Sequence, residues 1–190
     1  MGDSTIEEMG PLGALVGTWE GDKGDDVAPG SDRGVARSKF REVFRMEPLG
    51  RVDNHEQILH GLRYFRHAWR LGHPEPFHEE LGYFLWDAKA RHIMRSIIIP
   101  RGITVLAGGV TTADAKVFTV RADVGSPTYG ISSNQFLDDE FKTVRFDATV
   151  TVHGPDSFSY AENTQLKMRG HEELFNHADK NTLRRVNKII

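Results

Sequence analysis

Histidine is the residue type in this chain with the widest range of possible chemistry. The sequence has nine histidines and no cysteine, and the absence of cysteine excludes disulfides, thiolate nucleophiles and zinc–cysteine sites. His177 lies in a polar run just before the last predicted strand. A neutral imidazole there could ligate a metal or a haem iron. The alternative is a turn histidine bonded to the local backbone, and the residues alone leave both open.

A second group, His73, His78, Glu79 and Glu80, superficially resembles the metal motif of cupins. That motif needs two histidines separated by one residue, whereas four residues separate this pair, so a facial metal site is not indicated. Other catalytic signatures are missing as well. The chain has no Gly-x-Ser-x-Gly elbow, and the glycine pair at 108–109 follows a predicted strand but opens no helix, which argues against a phosphate-binding loop.

The clearest elements that could position such residues lie between Phe77 and Gly109. Three runs rich in β-branched and aromatic residues are separated by short links at 87–91 and 100–102. Links this short hold no crossover helix, so the runs predict a tight antiparallel meander.

Further strand-like segments precede and follow this meander. Residues 22–34 are predicted as a long loop, and residues 55–71 as two strands interrupted by Gly61. The other predicted strands are 36–46, 116–124, 129–137, 141–152, 157–168 and 182–189. About ten antiparallel strands in one domain predict an all-β fold that closes into a single barrel, because closure removes exposed edges. A barrel of this size can hold one small ligand.

The predicted domain organisation is a loose lead-in at 1–12 and one β-barrel ligand-binding domain at 13–190. The barrel opens on Gly17, Trp19 and Gly21. We expect the indole to plug the closed end while the glycines allow the backbone to turn closely around it.

The composition of the chain limits the kinds of partner that we expect it to bind. The formal net charge is -3 and the sequence pI is near 6.3, so there is no basic footprint for nucleic acid. No window approaches the roughly 18 apolar residues of a membrane helix, and the N-terminus has no apolar signal core. The sequence therefore predicts a cytoplasmic protein with neither a nucleic-acid partner nor a membrane span.

Several motifs in order resemble those of the nitrobindin-like proteins, which are small all-β barrels related in shape to fatty-acid-binding proteins. The motifs are Gly17-Thr18-Trp19-Glu20-Gly21, the run 77–83, Tyr160 with Met168, and His177 ahead of Thr182-Leu183-Arg184-Arg185-Val186. The Pro100-Arg101-Gly102 turn and the run 105–109 are similar to a bacterial branch of the family. The resemblance extends from about residue 13 to residue 186.

The resemblance implies haem b as the most specific candidate ligand. In the family a histidine near the C-terminus ligates the iron, and His177 matches it. His78 and Met168 match residues that line the same pocket, and Asp179 or a backbone oxygen would hold the other imidazole nitrogen. If haem binds, the resemblance implies chemistry on NO or peroxynitrite. Ala28-Pro29-Gly30 replaces a family Tyr-Pro-Thr that supports haem.

Two other interpretations stay open. A carrier or sensor of fatty-acid-like molecules would need an inward-facing arginine near the C-terminus, and alternation places Arg184 and Arg185 on opposite faces of the last strand. The sequence does not decide which of them faces inward. The third interpretation is a barrel filled largely by its own Trp, Phe and Met side chains.

Overall fold

A closed antiparallel β-barrel forms the body of this chain, in a computed structural model that describes residues 5–187. Ten strands close the barrel in the order β1-β2-β4-β5-β6-β7-β8-β10-β11-β12, and β12 pairs with β1. The elements are η1 (Gly10–Leu15), β1 (Gly17–Pro29), β2 (Val35–Pro48), β3 (Val52–Asn54), β4 (Gln57–Arg70), β5 (Pro76–Asp87), β6 (His92–Ile99), β7 (Ile103–Val110), β8 (Val117–Asp123), β9 (Ile131–Ser133), α1 (Gln135–Glu140), β10 (Phe141–Gly154), β11 (Ser157–Met168) and β12 (Phe175–Asn187). The predicted fold class, an all-β barrel of about ten strands, is confirmed.

Alternation along the strands determines which side chains enter the barrel. In β2, Phe40, Glu42, Phe44 and Met46 are buried, while Arg41, Val43 and Arg45 between them are more exposed. The predicted meander is confirmed as β5, β6 and β7, which pair in sequence with antiparallel register. Short strands β3 and β9 lie outside the barrel ring and pair with β4 and β7.

Three predicted boundaries are wrong. The segment 55–71 was predicted as two strands, but β4 runs through Gly61 without a break because β5 pairs with it on both sides of that glycine. The loop predicted at 22–34 is largely strand, since β1 continues to Pro29 beyond a register shift between Gly21 and Gly24. The strand predicted at 129–137 is the three-residue β9 followed by helix α1, whose first turn is capped by the Asn134 side chain.

One end of the barrel is closed by the 3₁₀ helix η1. Met9, Leu12 and Leu15 are fully buried there, and η1 packs against β5 and β10. Within the lead-in predicted at 1–12, Met9 and Leu12 are buried and belong to the core. Residues 1–4 of that lead-in lie outside the described residues. We call the η1 side of the barrel the closed end and the opposite side the mouth.

Trp19 lies beneath η1 and has no exposed surface. Its indole Nε1 donates to the carbonyl oxygen of Leu15 at 2.8 Å, and its ring meets Phe158 edge-on at 4.9 Å between centroids. The neighbouring glycines are required by geometry. Gly17 has φ 137°, and a Cβ on Gly21 would lie 2.7 Å from the Asn181 amide nitrogen. The glycines thus let the chain pass close to β12 on both sides of the tryptophan.

At the mouth, one carboxylate forms ion pairs with two turns. Glu140, at the end of α1, accepts from Arg33 at 2.6 Å and from Arg169 at 2.9 Å. Arg33 lies in the β1–β2 turn and also covers the Phe141 ring at 4.7 Å. Glu140 therefore ties the β1–β2 turn and the β11–β12 turn to α1. Across residues 5–187, no helix has the length and apolar character needed to cross a membrane.

Candidate functional site

A layer of buried charge crosses the middle of the barrel. We call it the ionic layer, and it consists of residues that are each at most 7% exposed, namely Glu42, Arg66, Glu80, Arg95 and Glu162. Each of them shares the inward-facing parity of apolar neighbours on its own strand. A charge buried in a protein core needs hydrogen-bonded partners, and these five residues provide them for one another.

Arg66 and Arg95 are the two cations of the layer. Arg66 donates to Glu42 at 2.7 Å and to Glu162 at 3.0 Å. Arg95 donates to Glu80 at 2.6 Å and also to Glu162. Glu162 is therefore shared between the two guanidinium groups, and the five residues form one connected network.

Two buried phenols complete the hydrogen bonding of this layer. Tyr64 donates from Oη to Glu80 at 2.6 Å, and Tyr160 donates to Glu42 at 2.8 Å. Burial raises the pKa of both tyrosines well above their usual value, and the charge of Glu80 adds to this for Tyr64. Both phenols are therefore neutral donors at physiological pH.

Two carboxyls of the layer, Glu80 and Glu162, are held ionised by the cations. Burial alone would raise the pKa of Glu80, but Arg95, the hydrogen bond with His78 and the charge of Arg66 lower that pKa well below its ordinary value. Burial opposes ionisation of Glu162 as well, and Arg95 and Arg66 again lower the pKa. Glu80 and Glu162 are thus charged groups rather than neutral acids.

His177 lies on the mouth side of the ionic layer. The prediction that it precedes the last strand is wrong, because β12 begins at Phe175 and His177 pairs with Thr164 of β11. Its Nε2 hydrogen-bonds to Oδ1 of Asp26 on β1 at 3.1 Å. Asp26 is 5% exposed and also accepts from the Ser38 hydroxyl at 3.1 Å.

In the His177–Asp26 pair, each residue favours the charged form of the other. Burial alone would lower the pKa of His177, but the hydrogen bond with Asp26 and the charge of Asp179 raise the pKa above its usual value. Burial would raise the pKa of Asp26, but its hydrogen bond and charge interaction with His177 lower that pKa. Both effects favour an imidazolium–carboxylate pair. In the described chain, no group of three or more His, Asp or Glu residues has the arrangement of a metal site.

Asp179 is one of the two predicted partners of the other imidazole nitrogen of His177, beside a backbone oxygen, and it is bound to Arg66. It accepts from Arg66 at 2.8 Å and so extends the ionic layer towards the mouth. Burial and the negative charge of Glu162 raise the pKa of Asp179 to about 6. The carboxylate held by His177 is therefore Asp26, which lies 151 residues away in sequence.

The other two predicted site residues also face inward on the mouth side of the layer. His78 on β5 hydrogen-bonds through Nε2 to Oε2 of Glu80 at 3.1 Å. Met168, the last residue of β11, is 2% exposed and pairs in register with Phe141. The three residues thus share one half of the barrel, and their contact with a common ligand stays a prediction.

The structure decides the orientation of the C-terminal arginines. Arg184 is exposed on the outer face, whereas Arg185 packs over the Trp19 ring at 4.1 Å. Arg185 donates to three backbone oxygens, including that of Ala14 at 2.9 Å. It therefore stabilises the closed end and leaves no cation there for a ligand carboxylate.

A separate groove of about 640 Å³ lies where residues 125–132 pass over β6 and β7. Its lining includes Ile98, Leu106, Pro127 and Ser132, and none of its lining residues is charged. None of the three predicted site residues borders this groove.

A closed barrel with an inward histidine above a buried floor belongs to the class of small-ligand-binding β-barrels. The chain is a member of the family described as "THAP4-like, heme-binding beta-barrel domain", whose model matches residues 8–185. Haem is therefore a candidate ligand of this barrel.

Comparison with solved structures agrees with this fold. Rv2717c from M. tuberculosis superposes with a TM-score of 0.65 and 19% identity, and the match covers 90% of this chain and 92% of that chain. At this identity the likeness shows the fold alone. No curated protein matches the chain.

Sequence reasoning missed Asp26 and the ionic layer. Asp26 was placed in a predicted loop, so nothing indicated that it faces inward. The ionic layer did leave a signal, because each member is a single charged residue in phase with buried apolar residues of its strand. In β6, for example, Arg95 stands between Ile93 and Ile97 at two-residue spacing.

Proposed function

We propose that this protein binds haem b in the mouth half of its barrel, with His177 as the axial ligand. The observation that carries the proposal is the inward position of His177 in a chain that belongs to a haem-binding family. An imidazole is a common axial donor to haem iron. Apolar side chains that face inward in the mouth half, among them Phe40, Ile97 and Phe146, would form the walls around a porphyrin.

The inward-facing side chains of the mouth half include groups that can ligate haem iron, but one of these groups already has a hydrogen-bond partner. His177 offers imidazole nitrogen and Met168 a thioether, both on the inward face. Nε2 of His177, the nitrogen proposed to bind iron, is engaged by Asp26. Haem binding through that atom therefore requires the Asp26–His177 hydrogen bond to open.

Haem held by one histidine would supply an iron centre with a free face for NO or peroxynitrite. The chain's contribution is to hold the axial ligand and to shape the opposite wall. His78 lies on β5, four strand steps from β12 around the barrel. We propose that it faces the free side of the ligand, with its orientation fixed by Glu80.

The geometry supports the fatty-acid interpretation less well. Its carboxylate would need an unpaired inward cation. Arg184 faces outward, Arg185 is bound to backbone oxygens, and both arginines of the ionic layer already have carboxylate partners.

Titration of the purified protein with hemin tests the proposal. We expect a shifted Soret band for the wild type, its loss or marked weakening in His177→Ala, and its retention with altered shape in His78→Ala. His67→Ala is the matched control, because His67 lies on the outer face and pairs with Glu79. Identical spectra for the wild type and His177→Ala would overturn the assignment.

A further inference from the structure

Asp26 occupies the one nitrogen of His177 that the proposed function requires. The Nε2–Oδ1 distance is 3.1 Å, and a carboxylate accepts there from an N–H. A nitrogen that carries this proton has no lone pair to give to iron. The contact and iron ligation therefore exclude each other at the same atom.

The position of Asp26 is fixed independently of His177. Its second oxygen accepts from Ser38, and Arg70 lies 3.7 Å from that oxygen. Asp26 is 5% exposed, and β1 is paired on both sides there, with Asp179 of β12 and with Ser38 of β2. The Asp26 carboxylate is thus preorganised to accept from the imidazole, unlike the carboxylate of a mobile surface side chain.

We propose that Asp26 is a latch on His177, whose carboxylate withholds Nε2 from haem iron and sets how tightly haem binds. This rests on the proposed function and adds a residue that determines the strength of that binding. The latch explains how a barrel of a haem-binding family keeps a defined interior without the ligand: the histidine has a partner in both states. Haem binds only as the latch releases, so its observed affinity is reduced by the free energy of the hydrogen bond.

Removing the carboxylate is the direct test. A hydrogen bond to a charged group corresponds to about a ten- to hundredfold change in an equilibrium constant. We therefore expect hemin to bind more tightly to Asp26→Ala by about that factor, with Asp26→Asn between Asp26→Ala and the wild type. Asp25→Asn is the matched control, because it makes the same chemical change one residue away, where the side chain is exposed and pairs with Lys39.

A double-mutant cycle with His177→Ala separates a latch from a general effect on the barrel. When His177 is absent, removing Asp26 has no nitrogen to release, so hemin affinity should no longer rise. The ring ¹⁵N signals of His177 in the ligand-free protein provide a second readout. They should shift in Asp26→Ala and stay unchanged in Asp25→Asn, and thermal unfolding of each variant checks that it is folded.

The outcomes distinguish this inference from the proposed function. Equal hemin affinity of wild type and Asp26→Ala, or weaker binding by Asp26→Ala, removes the latch and leaves haem binding standing. Binding to Asp26→Ala but not to the wild type supports the latch and shows that it holds the native barrel closed to haem. Failure of both proteins to bind removes the proposed function and the latch with it. Unshifted ¹⁵N signals in Asp26→Ala overturn the latch in every case.

Discussion

Arg66 on β4 donates to Glu162 on β11 at 3.0 Å. By the shorter route around the barrel wall, three other strands lie between β4 and β11. The contact therefore crosses the lumen instead of following the wall. Together with the pairing of Arg95 on β6 to the same carboxylate, it ties opposite walls through a single acid. The interior of this barrel is divided into two halves by charge.

The first prediction concerns the stability of that layer. Arg95→Met keeps a similar apolar stem but removes the nearer cation of Glu80 and one of the two cations of Glu162. Breaking a buried ion pair on one side costs about 3–5 kcal/mol. Arg121→Met is the control, since Arg121 forms an exposed pair with Asp147 that contributes about 0–1 kcal/mol. Urea unfolding measures both. Equal losses for the two variants would show that the layer is not a special contributor to stability.

The second prediction follows from the lowered pKa of Glu80. Its ordinary value is 4.5, and Arg95, His78 and Arg66 lower the pKa well below that despite burial. The folded protein thus releases a proton that the unfolded chain still holds, so this contribution is complete above about pH 4.5 and is lost as the pH falls towards the folded pKa.

Unfolding free energies measured from pH 7 down to pH 3 test this sign. The wild type should lose stability below about pH 4.5, and Glu80→Gln should be less stable at pH 7 but lose less on acidification. Glu79→Gln, an exposed neighbour on the outer face, should follow the wild-type profile. A Glu80→Gln curve parallel to the wild type would contradict the assignment.

The third prediction concerns the closed end. Trp19→Ala removes a fully buried indole, its bond to Leu15 and the surface on which Arg185 packs. We expect a loss of about 3–5 kcal/mol in the free energy of unfolding. Trp69→Ala is the comparison, because Trp69 is only partly buried and stacks with Arg41 on the outer face. A loss for Trp19→Ala within about 0.5 kcal/mol, as at ordinary surface sites, would rule out the plug.

The sequence predicts the barrel well because its strands alternate clearly. β5, β6 and β10 show buried residues at two-residue spacing, and that spacing follows from the pleat itself. The ionic layer was harder to foresee. A lone Glu42 or Arg66 in phase with apolar neighbours is ordinarily taken as a break in the pattern, and only the fold shows that these charges meet.

His177 was misplaced for a different physical reason. The start of β12 reads Asn176-His177-Ala178-Asp179-Lys180, which has little intrinsic preference for a strand. It is extended because β1 and β11 pair with it on both sides. Tertiary pairing outweighs local propensity here, and this pairing also brings His177 to Asp26.

The ionic layer also limits how far a ligand could enter the barrel from the mouth. From Glu162 to Met168, the six residue-to-residue steps of β11 cover about 20 Å of strand. This length becomes about 15 Å along the axis at a usual barrel tilt. A molecule that entered from the mouth would therefore meet a charged base at that depth, and the interior does not continue as an open tube to the closed end. A molecule that enters along the barrel axis must also leave through the mouth. While it is bound, a second reactant that approaches along the axis can reach only its mouth-facing side. For the proposed ligand site, that depth would favour a compact molecule over one with a long chain-like tail.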